Sequence, residues 1–149
     1  MPQSITIACP EGWDLASFAV FFDKIAAERS ARFSAFDRQL QVVPEDLRWS
    51  LVMYEAHRSA DAANDYATHE ELDSRFRSEV RSLRLFRLVF NDVDVARELL
   101  RSVAQAAVTR GETLWIDTDY GWVLDARDFL RRIEQDPRWD WRRDPEQAV

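Results

Sequence analysis

Hydrophobic positions in this chain repeat with two different periods, and the alternation between them predicts its elements. From Ser4 to Cys9, Ile5 and Ile7 alternate with small or polar neighbours, which predicts a short strand. The turn residues of "PEGW" follow, and Asp14 stands where a helix cap belongs. Leu15, Phe18, Phe22 and Ile25 then recur at spacings of three and four, so a helix is expected from about Asp14 to Arg29. Residues 31–43 fit two readings: Phe33 and Phe36 suit a helix end, whereas "LQVV" suits a strand. Pro44 fits the first position of a helix, Glu45 and Asp46 its positive end, and Leu47, Leu51 and Tyr54 one face. That helix is expected to reach about Ala60.

"ADAANDYA" is polar and weakly patterned, so a break is expected there. Thr68 and Glu71 have capping-box spacing, and Leu72, Phe76, Val80 and Leu83 share the face of the helix that follows. "RLFRLVF" reads equally as a continuation of that helix or as a strand. Asn91 or Asp92 caps a further helix with Val95, Leu99, Val103 and Ala106 inward, closed by Gly111. "TLWI" and "WVL", joined by the turn chemistry of "DTDYG", predict a hairpin from about Thr113 to Leu124. Asp125 and Asp128 begin a last helix carrying Phe129, Leu130 and Ile133, and Pro137 ends it. The expected fold is α+β: a mostly helical single domain, 1–149, with a small sheet that includes the C-terminal β-hairpin, and with 137–149 as a tail.

Composition narrows the function classes. With 46% hydrophobic and 12% aromatic residues, the 149-residue chain can bury a core without staples. Its net charge of −7 argues against nucleic acid as the main ligand, because phosphate binding needs surplus Lys and Arg. Cys9 is the single cysteine, so neither an internal disulfide nor a cysteine-rich zinc site can form. The N-terminal residues lack a basic region followed by a long apolar run, and no stretch matches a membrane span. A cytoplasmic location away from membranes is expected.

Two groups of side chains suggest chemistry. Asp117 and Asp119 could share a divalent cation if they lay on one strand face. Counted from Asp117 as a calcium loop, however, glycine falls at position 5 rather than 6, and position 12 is Asp128 rather than Glu. His57 with Asp61, and Asp65 with His69, are each one helical turn apart and would form a ligand stripe only on an unbroken helix. No nucleophile elbow or glycine-rich phosphate loop is present. No catalytic, cofactor-binding or metal-binding residue is therefore assigned.

The last third of the chain is the most distinctive part. Four of the six tryptophans lie there, and residues 112–149 carry ten acidic groups against six arginines, which is more than half of the net charge. Aromatic anchors in an acidic field suit a basic protein partner. The stretch "LWIDTDYGWVLDARDFLRRIEQDPRWDWR", Leu114 to Arg142, is similar in style to the C-terminal portion of small bacterial immunity proteins, the partners of polymorphic or contact-delivered toxins. That resemblance implies a non-enzymatic inhibitor of one cognate toxin, acidic because many such targets are basic. The partner-binding residues expected are Asp117, Asp119, Tyr120 and Trp122, with Trp139 and Asp140 next. Two alternatives stand beside this: an adaptor or secretion chaperone, and a metal-dependent enzyme using the Asp117/Asp119 pair with a histidine. The oligomeric state is left open.

Overall fold

The first strand of the chain lies inside the sheet rather than at its edge. The computed structural model describes residues 3–56, 60–119 and 123–142. β1 (Gln3–Cys9) is flanked on one side by β5 (Arg84–Phe90) and on the other by β6 (Trp115–Asp117). The sheet continues through β4 (Leu51–Glu55) and β3 (Gln39–Val43) to β2 (Arg32–Phe36), and past β6 to β7 (Val123–Asp125). All seven strands pair antiparallel, in the order β2-β3-β4-β5-β1-β6-β7. The helices are α1 (Ala19–Glu28), α2 (Ala60–Thr68), α3 (Ser74–Glu79), α4 (Val93–Thr109) and α5 (Ala126–Gln135).

A seven-stranded sheet corrects the expectation of a mostly helical domain with a small sheet. The largest difference lies at residues 44–56. Pro44 begins a tight turn in which Leu47 N–H donates to the Pro44 carbonyl at 3.1 Å and Leu47 adopts a left-handed φ of 58°. Asp46 accepts from the Arg48 backbone N–H at 3.2 Å, a local bond that competes with helix formation. The following residues form β4, in which Leu51 and Met53 are buried at period two. Both stretches that fitted two readings, 31–43 and "RLFRLVF", are also strands. In "ADAANDYA" the structure has helix α2 rather than a break, and Thr68 Oγ1 donates back to the Asn64 carbonyl at 2.8 Å instead of capping the next helix. The cap of α3 is Asp73, which accepts from the N–H groups of Arg75 and Phe76.

Period-two burial sorts the strands into two faces. Ile5, Ile7, Leu40, Val42, Leu51, Met53, Phe86, Leu88, Phe90 and Ile116 face α1, α4 and α5 and build the main core. Asp92 and Asp125 cap α4 and α5 through backbone N–H groups, and Gly111 takes the positive φ of 69° that ends α4. Residues 137–142 fold back over this layer, so that Trp139 and Trp141 are 1% and 0% exposed. Ala8, Leu85 and Trp115 face the other way and meet Phe76 and Val80 of the short α2–α3 segment in a second, smaller core. Among the described residues, that segment covers only part of this face. Among the described residues, no helix is long and apolar enough to cross a membrane.

Cys9 lies in the main core with no exposed surface. Burial, reinforced by the Glu112 carboxylate, pushes its thiol far above the ordinary value. Because the thiolate is the reactive form, Cys9 is expected to resist iodoacetamide in the folded protein and to react once urea is added. Mass spectrometry of the alkylated chain checks this; equal labelling rates in both conditions would contradict the buried placement.

Candidate site on the open face of the sheet

The face of the sheet that α2 and α3 partly cover carries a row of polar side chains at one level. Register sets Tyr54 opposite Arg87, Arg87 opposite Thr6, and Thr6 opposite Asp117. Side chains opposite one another in antiparallel strands share a face, so the row runs across β4, β5, β1 and β6. Arg87 donates from Nη1 to Thr6 Oγ1 at 2.9 Å and from Nη2 to Ser4 Oγ at 2.6 Å. Both partners are neutral hydroxyls, and Arg87 forms no ion pair among the described residues. Its positive charge is thus oriented but not neutralised by contact. Tyr54 stands opposite it and is 39% exposed.

At the other end of the row, Tyr66 of α2 donates its hydroxyl to Asp117 Oδ2 at 2.6 Å. Burial first, and the adjacent carboxylate second, raise the Tyr66 phenol well above its usual value. The phenol therefore keeps its proton and donates to the Asp117 carboxylate, a bond suited to holding α2 against the sheet. Asp117 uses its second oxygen to accept from the Asp119 backbone N–H at 2.9 Å, which fixes the turn after β6. With both oxygens engaged inside the protein, Asp117 is a structural acceptor.

Among the described residues, those expected to meet a partner do not form one cluster. Asp119 is exposed at the tip of the turn, with a left-handed φ of 65°. Tyr120 and Trp122 lie outside the described residues, as does His57. Trp139 belongs to the opposite side of the sheet, packed on Phe129 of α5 with ring centroids 5.3 Å apart. Asp140 is half-buried and ion-paired with Arg142. Trp139 is thus a core residue in the folded chain, and it shares no surface with Asp117. Among the described residues, no group of three or more His, Cys, Asp or Glu side chains could hold a metal ion.

Arg87 and Tyr66 were not singled out by sequence, and Tyr54 was named only on the face of an expected helix. The available signal was the alternation in "RLFRLVF": Phe86, Leu88 and Phe90 form one face, which leaves Arg87 pointing out of the other. Searches against protein-family models, curated proteins and solved structures find no match to this chain.

Proposed function

We propose that this chain is an immunity protein that binds and neutralises a cognate bacterial toxin without chemistry of its own. The observation that carries this reading is exposed Tyr54 set opposite Arg87, a cation with no ion pair among the described residues. Tyrosine and arginine are favoured anchors at protein interfaces, where a rigid ring and a forked cation contribute much contact for little lost freedom. The net charge of −7 would speed encounter with a basic partner, while the two anchors would set its off-rate. The resemblance of residues 114–142 to immunity proteins adds the toxin as the class of partner.

Co-expression with the product of the adjacent gene tests the proposal. Growth is expected to be lost with that product alone and restored when this chain is present. Tyr54→Ala together with Arg87→Ala is expected to weaken protection, whereas Arg101→Ala on the distant outer face of α4 is not. A toxic neighbour whose effect this chain leaves unchanged would overturn the reading. Binding to the neighbour's delivery region instead of its toxic domain would replace it with a secretion chaperone.

A further inference from the structure

The two edges of the sheet are built differently. At one edge, β7 is three residues long, runs directly into α5, and is held by the ion pair between Arg75 of α3 and Asp125. At the other, β2 pairs with β3 over five residues, Arg32↔Val43 through Phe36↔Gln39, without a bulge. No strand lies on its outer side among the described residues. Natural edge strands are usually blunted by proline, a bulge or an inward charge. β2, "RFSAF", has none of these in its centre, and Phe36 is 58% exposed.

The composition of β2 is complementary to itself. If a second β2 pairs antiparallel about Ser34, Phe33 meets Ala35 and Arg32 meets Phe36 of the other copy. Arg32, Ser34 and Phe36 share one face, so the symmetric pair gains two guanidinium–ring contacts and covers both exposed Phe36 rings. Continuing the same register past the strand sets Asp37 against Ala31 and Arg38 against Ser30, so no like charges are opposed. A two-fold interface requires one patch to complement itself, and β2 meets that requirement.

We infer that the protein forms a homodimer through antiparallel β2–β2 pairing, joining two sheets into one continuous sheet. The inference stands apart from the toxin reading, because the Tyr54–Arg87 row lies inside the sheet and not on this edge. Light scattering coupled to size exclusion is expected to give twice the chain mass of 17.5 kDa at high micromolar concentration. Phe36→Lys places a cation opposite Arg32 of the other copy and is expected to weaken association at least about tenfold, the effect of 1.4 kcal/mol. Adding Arg32→Glu to Phe36→Lys restores opposite charges across the dyad and is expected to recover the dimer. Circular dichroism of each variant confirms that the fold is retained, since both side chains are exposed. A wild-type chain that stays monomeric, or a Phe36→Lys variant that dimerises as well as wild type, would overturn the inference.

Discussion

Replacing Trp141 with alanine is expected to lower the unfolding free energy by about 3–5 kcal/mol. The indole is fully buried and lies between Phe90 of the central strand β5 and Phe129 of α5, with ring centroids 5.8 and 6.1 Å away. Trp139 packs on the same Phe129 and on Trp141 itself, so four aromatic rings form one cluster. Removing the largest of these rings leaves a cavity that its neighbours cannot close without leaving their rotamers. A domain of this size commonly has about 5–15 kcal/mol of stability in total, so the variant would lose a large share of it. Urea denaturation followed by circular dichroism measures the loss. Trp141→Phe is expected to cost less, because the ring is largely kept and the lost indole N–H has no acceptor among the described residues. A loss below about 1 kcal/mol for the alanine variant would place the tail outside the core.

Arg97→Met is expected to cost about 2–4 kcal/mol, through hydrogen bonding rather than volume. Arg97 of α4 is only 8% exposed. Its Nε donates to the Trp139 carbonyl at 2.7 Å, its Nη2 to the Arg138 carbonyl at 3.3 Å, and its Nη1 pairs with Asp94 at 2.7 Å. One planar fork thus fastens the tail backbone to a helix. Methionine fills much of the space but leaves two carbonyls without their donor. Arg97→Lys would recover little, since a single ammonium cannot reproduce the fork. Because Arg97 and Trp141 hold the same segment, the double variant is expected to lose less than the sum of the single losses. Strict additivity in a double-mutant cycle would show that the two do not act on a common unit.

The helices with strong end signals were legible in the sequence. Asp92 and Asp125 accept backbone N–H bonds at the starts of α4 and α5, Asp14 does so at the 3-10 turn Leu15–Phe18 that leads into α1, and Gly111 closes α4, because capping is decided by a few adjacent atoms. The strands were harder, because their burial depends on distant partners. Leu47, Leu51 and Tyr54 have helical spacing, yet Leu47 is 73% exposed and the buried pair is Leu51 and Met53. A residue in the left-handed region at Leu47 overrides that spacing, and nothing in a leucine announces it. The candidate site was hidden for the same reason. Arg87, Thr6 and Tyr54 are brought level only by register across three strands, which pairs residue 6 with residue 87. The burial of Trp139 was not legible from the tail alone, because its backbone is held by Arg97, far away in sequence.

The interior position of β1 has a consequence for how the chain comes to be folded. Gln3–Cys9 is synthesised before the other six strands of the sheet, but its two neighbours are residues 84–90 and 115–117. Everything up to β5 must be synthesised before β1 can make its first pairing. β2, β3 and β4 can assemble earlier as a meander, but that meander joins the rest only through β5. Until then Ile5 and Ile7 sit in a nascent segment with no sheet to enter. Such long-range closure slows folding, and an apolar segment waiting in the open is a natural client for chaperones during translation.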